Sequence, residues 1–198
     1  MKIVILDGYT ENPGDLSWDA LRAFGEVTVY DRTPVDDIVQ RAKDAQILVT
    51  NKTPLRAETL EKLPELQMIA LLSTGYNIAD CDWAKAHGIP VSNIPSYSTE
   101  SVAQLVFAFL LEFSRKVSLH SRSVTAGDWA NCKDFCYTLA PLTELNGKTI
   151  GIIGFGSIGR AVSRIAQAFG MKVLATSRSK TAGTTDGVCF VEREELLA

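Results

Sequence analysis

Lys148-Thr-Ile-Gly-Ile-Ile-Gly-Phe-Gly-Ser-Ile-Gly-Arg-Ala-Val162, with Met171-Lys-Val-Leu-Ala-Thr-Ser-Arg-Ser-Lys180 a turn of chain later, decides how the protein is read. Thr149 to Ile153 is an apolar, β-branched run bounded by glycine, the pattern of a buried strand. Gly154, Gly156 and Gly159 follow it with G-x-G-x-x-G spacing. Ile158, Val162, Ile165, Ala166 and Phe169 then recur at helical spacing, Gly170 is a C′ stop, and Met171 to Thr176 is a second strand. A glycine-rich turn can occur in any α/β protein. The strand–turn–helix–strand setting is what makes this one a dinucleotide-binding fingerprint. Gly154 permits the tight turn, Gly156 lets backbone approach a pyrophosphate without a Cβ, and Gly159 allows close helix–strand packing. The N–H groups that open the helix then face the phosphates, where the helix dipole favours negative charge.

The end of the second strand refines the cofactor. A site for an NAD ribose diol has Asp or Glu about 20 residues beyond the glycines. Ser177 stands 18 positions after Gly159, where that carboxylate is expected, and Arg178, Ser179 and Lys180 follow it. Hydroxyls and cations suit a 2′-phosphate better than a diol, so NADP(H) is favoured over NAD(H). The competing reading makes Arg178 and Lys180 a solvated loop.

With 198 residues, 46% of them apolar, the chain can bury a sizeable core. A formal net charge of −3 gives no electrostatic case for nucleic acid or for an anionic membrane surface. The longest apolar segment, Val102 to Phe113, is interrupted by Gln104 and Glu112 and is too short to span a bilayer. Four cysteines without disulfide-scaffold density fit a reducing cytoplasm.

From the first residue, apolar runs alternate with helical patterns: strands at 3–6, 27–30, 47–50, 68–72 and 90–93, helices at 16–24, 35–42, 57–63 and 79–86. Thr33 and Pro34 read as cap and first-turn residue of the second helix. This alternation predicts an α/β fold, a flavodoxin-like parallel sheet with helices on both faces. Ligands in such sheets bind outside the carboxyl ends of the strands. Two loops leave those ends, Thr50-Asn-Lys-Thr-Pro-Leu55 and Ser73-Thr-Gly-Tyr-Asn77, and spacing alone ranks them equally. Ser101-Val-Ala-Gln104 fits a capping box that starts a helix apolar nearly all round, expected to be buried on every side and to form part of a subunit interface. Residues 114–146 read as extended surface wrapping anchored at Gly127 and Trp129. The domain division is 1–99, a substrate-binding unit, and 100–198, the connecting helix with the first βαβ of an incomplete Rossmann unit. His87 reads as a helix-end cation, His120 as surface, Asp36 and Asp37 as first-turn carboxylates. Cys132 and Cys136 lack a second pair at zinc spacing, so no metal site is expected.

Taken together, Leu71-Leu-Ser-Thr-Gly-Tyr-Asn-Ile-Ala-Asp80, His87-Gly-Ile-Pro-Val-Ser-Asn-Ile-Pro95, Ser98-Thr-Glu-Ser-Val-Ala-Gln104 and Leu145-Asn-Gly-Lys-Thr-Ile-Gly-Ile-Ile-Gly-Phe-Gly-Ser-Ile-Gly159 resemble the D-2-hydroxyacid dehydrogenases over essentially the whole chain. Within that family, Val49 to Leu55, Asp134-Phe-Cys136 and Pro141-Leu142 look most like the glycerate dehydrogenase, or hydroxypyruvate reductase, branch. The resemblance implies hydride transfer between a nicotinamide and C2 of a small 2-oxo or 2-hydroxy acid, and a homodimer built on the 101–113 helix. It implies that Thr74, Gly75 and Tyr76 hold the substrate carboxylate, with Asn51 and Lys52 bordering the same pocket. It also implies that Ser157 and Ile158 contact the pyrophosphate and that Val102 lies near the nicotinamide. The family's catalytic Arg, Glu and His have no counterpart here, and neither His87 nor His120 matches the acid. The expectation is a fragment or truncated product, inactive alone, with two strands in its nucleotide sheet and an uncovered sheet edge. The alternative reading is a non-catalytic dinucleotide-sensing or interaction module.

Overall fold

The computed structural model describes residues 1–178 and 182–198. They divide into two units, Met1–Tyr97 and Ser98–Ala198, each with its own core.

The first unit is built on β1 (Lys2–Ile5), β2 (Glu26–Val29), β3 (Ile47–Thr50), β4 (Met68–Leu71) and β5 (Val91–Ser92). All pair in parallel, in the order β2-β1-β3-β4-β5, which is the flavodoxin-like order. Side chains of β1 alternate between faces. Val4 and Leu6 join Ile38, Leu48, Leu60 and Ile69 in one core, while Ile3 and Ile5 join Val27 and Val49 in the other. Both faces are thus buried, as an all-parallel sheet requires. The helices are shorter than their apolar patterns suggest: α1 (Asp19–Arg22), α2 (Ile38–Ala42), α3 (Ala57–Leu60) and α4 (Cys81–Ala86). Val35–Asp37, expected within the second helix, is a 3-10 turn whose N-cap position is Pro34. Thr33 does not cap it; its hydroxyl accepts from Arg41 Nη1 at 3.0 Å. In α4, Asp80 is a true cap, accepting from Trp83 N at 3.0 Å.

The second unit contains α5 (Thr99–Arg115), α6 (Val117–Thr125), β6 (Thr149–Ile153), α7 (Ser157–Ala168), β7 (Lys172–Thr176), β8 (Gly183–Thr185), β9 (Val188–Phe190) and α8 (Arg193–Leu197). Its sheet runs β6-β7-β9-β8, with β6, β7 and β9 parallel and β8 antiparallel. The expectation of two strands is therefore corrected: the β8–β9 hairpin covers the edge of β7. Its two-residue turn is Asp186-Gly187, both at positive φ (53° and 72°), a type I′ turn matched to strand twist. On one sheet face Leu196 of α8 packs so closely on Gly151 that a Cβ there would meet its Cδ2 at 2.9 Å.

Three expectations about residues 99–146 are also corrected. Helix α5 begins at Thr99 with Ser98 at the N-cap, so Ser101 lies inside it and forms no capping box. The helix is not buried on every side. Ala103, Phe107 and Ser114 are buried, whereas Leu105, Phe109 and Phe113 are 53%, 67% and 76% exposed. These three recur every four residues and form an apolar stripe on the surface of the unit. Residues 117–125 form α6 rather than extended chain. His120 there is part-buried: Nδ1 lies 2.9 Å from Lys116 O, and Nε2 accepts from Leu139 N at 3.2 Å.

Candidate functional site

The glycine turn between β6 and α7 behaves as its residue types demand. Gly154 has φ +93°, a conformation costly for any residue with a Cβ, and its N–H donates to Thr176 O at 2.9 Å, fastening the turn to β7. A Cβ on Gly159 would stand 2.4 Å from Gly154 O, so only glycine allows α7 to start this close to the strand. Gly156, the N-cap of α7, has open space where its Cβ would be. The amides of Ser157, Ile158 and Gly159 open a 12-residue helix and have no partner within it. Phe155 and Phe190 meet edge to face at 5.0 Å, tying the turn to β9.

A cleft of about 610 Å³ opens beside this turn, lined by Ile153, Gly154, Phe155, Gly156, Arg160, Thr176, Ser177, Arg178 and Arg193. No carboxylate lines it among the described residues. Ser177 and Arg178 reach it as the sequence predicts, while Ser179 and Lys180 lie outside the described residues. Arg160 and Arg193 are additions that sequence reasoning missed. Arg160 Nη1 donates to Phe155 O at 3.3 Å. Val102 is half-buried on α5.

In the first unit the two candidate loops leave adjacent strands and are stapled together. Leu72 N donates to Thr50 O, Leu55 N to Ile78 O, and Asp80 N to Leu55 O. Their backbone chemistry differs sharply. Asp7, just past β1 and 2% exposed, fills the first loop: its carboxylate accepts from Thr50 Oγ1 (2.9 Å), Asn51 N (3.0 Å), Thr53 N (2.8 Å), Thr53 Oγ1 (3.3 Å) and Lys52 N. Three consecutive N–H groups thus form a nest around an internal anion. The second loop has no such anion. Its carbonyls are occupied, Ser73 O by Ile94 N, Thr74 O by Asn93 Nδ2 and Gly75 O by Ser73 Oγ. The N–H groups of Thr74, Gly75 and Tyr76 have no acceptor among the described residues. Lys52 is exposed and forms no ion pair among the described residues, and Asn51 Oδ1 is buried without a partner. Asp7 was not identifiable from sequence, because its partners lie 43 to 46 positions away.

The histidines are structural. His87 stacks on Trp83 at 3.9 Å with Nδ1 2.8 Å from Trp83 O, and both ring nitrogens of His120 are engaged. No cluster of three metal-ligating side chains occurs among the described residues, and no described helix is long and apolar enough to cross a membrane.

Known proteins share this arrangement. The family model for the catalytic domain of D-isomer specific 2-hydroxyacid dehydrogenases matches residues 3–187. A hydroxypyruvate reductase from Blautia hydrogenotrophica is 49% identical over 202 residues, covering all of this chain and 63% of that protein. A glycerate dehydrogenase from Methylorubrum extorquens is 41% identical over 162 residues, 82% of this chain and 52% of that protein. The chain thus spans between half and two thirds of the length of these relatives. Among solved structures, an acyclic imino acid reductase in complex with NADPH and D-Arg superimposes with TM-score 0.78 at 32% identity, over 99% of this chain and 62% of that one. D-lactate dehydrogenase from Aquifex aeolicus, complexed with NAD and lactic acid, gives 0.76 at 29% identity, over 100% and 57%. With the phosphate-loop geometry, the parallel-sheet order and this match over nearly the whole chain in agreement, the protein belongs to the D-isomer-specific 2-hydroxyacid dehydrogenase family.

Proposed function

We propose that residues 1–99 provide the substrate-carboxylate site, and residues 100–198 the dinucleotide-phosphate site, of an NADP(H)-dependent reductase acting on a small 2-oxo acid of the hydroxypyruvate or glyoxylate kind. The contrast between the two loops carries the substrate half. An incoming carboxylate at Asn51–Thr53 would have to displace Asp7, whereas at Thr74, Gly75 and Tyr76 it meets three N–H groups without acceptors. Thr74, Gly75 and Tyr76 therefore hold the carboxylate. Asn51 and Lys52 border it from the neighbouring strand end, and the Lys52 ammonium adds positive charge. The names of the hydroxypyruvate reductase and glycerate dehydrogenase relatives support this substrate class.

Gly154, Gly156, Ser157, Ile158 and Gly159 cradle the pyrophosphate, where amides and dipole favour an anion. Ser177, Arg178 and Ser179 take the adenosine ribose and its 2′-phosphate, and Val102 lies beside the nicotinamide. The carboxylate-free lining of the cleft supports NADP(H) over NAD(H), since a ribose diol calls for an acidic acceptor. When bound, the nicotinamide supplies the hydride for C2 of the oxo acid. The chain contributes orientation and positive charge to the anionic substrate. Proton delivery is assigned to neither histidine, because both are engaged structurally.

The Leu105-Phe109-Phe113 stripe supports a homodimer through the 101–113 helix, and the four free thiols suit a reducing cytoplasm. Titrating the ¹⁵N-labelled chain with hydroxypyruvate tests the substrate half. Amide shifts centred on Thr74–Tyr76 are expected. Shifts centred on Asn51–Thr53 would overturn it.

A further inference from the structure

Arg193 follows β9 as Arg178 follows β7, and the two strands are parallel neighbours, so both guanidinium groups come from the same end of the sheet. Both line the 610 Å³ cleft that holds the glycine turn. Neither forms a salt bridge with any described carboxylate, and the lining contains no Asp or Glu. Two guanidinium groups lining one cleft, with no ion-pair partner among the described residues, favour an anionic occupant. Arg160, the third cation of the lining, has a different task, with Nη1 turned to Phe155 O beside the pyrophosphate loop.

We propose that Arg193 is a second determinant of cofactor choice, closing with Arg178 on the phosphate monoester of the adenosine ribose. This rests on the dinucleotide reading above. A phosphate monoester carries about −1.5 to −2 charge at neutral pH and offers three acceptor oxygens. That is enough for two forked guanidinium donors from two strand ends. The arrangement differs from a single basic residue after β7, because the second cation comes from the third strand of the sheet. A diphosphate without the 2′-group gives Arg193 nothing to bind, so its contribution is confined to the phosphorylated ligand.

The test uses the 198-residue chain and two probes, adenosine 2′,5′-bisphosphate and ADP, with dissociation constants measured by calorimetry for wild type, Arg178→Ala and Arg193→Ala. Both arginines are exposed, so unchanged circular dichroism is expected and serves as the folding control. Arg193→Ala is expected to weaken the 2′,5′-bisphosphate about 10-fold or more while leaving ADP within about twofold, following the range for a hydrogen bond to a charged group. Equal weakening of both probes would overturn the proposal, since it would assign Arg193 to the adenine or the pyrophosphate. No effect on either would overturn it as well. A chain that binds ADP and whose affinity for the bisphosphate is weakened by neither Arg178→Ala nor Arg193→Ala would refute the 2′-phosphate role of Arg193 while leaving the dinucleotide reading intact. A chain that binds neither would refute both.

Discussion

Replacing Asp7 by alanine removes a buried carboxylate that holds five donors and forms no ion pair among the described residues. The donors do not suffer equally. Thr53 N has Thr50 Oγ1 as a second acceptor at 3.1 Å, and Thr50 Oγ1 can turn to Thr53 O at 3.2 Å. The amides of Asn51 and Lys52 have no other acceptor and are orphaned. Both amides are part-buried, so each loss falls toward the low end of the ~1–3 kcal/mol range for an unsatisfied donor, about 2–3 kcal/mol together. For a unit of this size that lowers the melting transition by roughly 10–20 °C. A burial penalty works against this estimate, because an ionised carboxylate taken out of water costs several kcal/mol before any partner is counted. Five donors, three of them consecutive backbone amides, are what offset it. Asp7→Asn should fall between the two, since its amide oxygen still accepts but its NH₂ confronts the Asn51–Thr53 donors. Urea denaturation gives the stability change, and hydrogen exchange at residues 51–53 gives the local one. A loss below about 1 kcal/mol with unchanged exchange would refute the reasoning, as would stabilisation, which would mean that desolvation outweighs the nest.

Further outcomes follow from other sites. Gly159→Ala should destabilise the second unit by about 2 kcal/mol or more, because the new Cβ must displace backbone at Gly154 O; an unchanged denaturation midpoint would contradict this. Phe109→Asp with Phe113→Asp should convert a dimer to a monomer in light scattering, whereas a wild-type monomer would remove the interface reading. Glu112 accepts from Ser118 N and Oγ, both at 3.0 Å, and these hydrogen bonds lower its pKa below the usual glutamate value, with Arg122 and Lys116 assisting. A depressed folded pKa means that its contribution is present above the unfolded pKa and lost as pH falls through the folded one. Ser118→Ala removes the hydroxyl donor and keeps the backbone N–H, so an NMR titration should show the Glu112 midpoint moved part of the way upward, and an unmoved midpoint would reject the hydroxyl hydrogen bond as a contributor.

How much of this the sequence reveals depends on the range of the interaction. Gly154, Gly159 and Gly170 state local backbone needs, and all three occupy the turn, close-packing and C′ positions their spacing predicts. The parallel pairing of the first unit follows from regular alternation of short apolar runs, which does not by itself set the order β2-β1-β3-β4-β5. Helix α5 departs from its sequence expectation because composition cannot distinguish an apolar face that is packed from one that is left outside. Ala103 and Phe107 are packed, whereas Phe109 and Phe113 are not. The β8–β9 hairpin had a readable signal in Asp186-Gly187, but its strands are only three residues each and carry little pattern. Asp7 could not be read at all, and it is Asp7 that separates the two loops that spacing left equal.

A dinucleotide seating its phosphates on the turn that opens α7 is the central requirement of the proposed function. Titrating NADPH into the labelled chain while following backbone amides measures this directly. The largest shifts are expected at Gly156, Ser157 and Ile158, with Arg178 responding to NADPH and not to NADH. Saturable binding that leaves those amides unmoved would contradict it, as would shifts confined to the first unit.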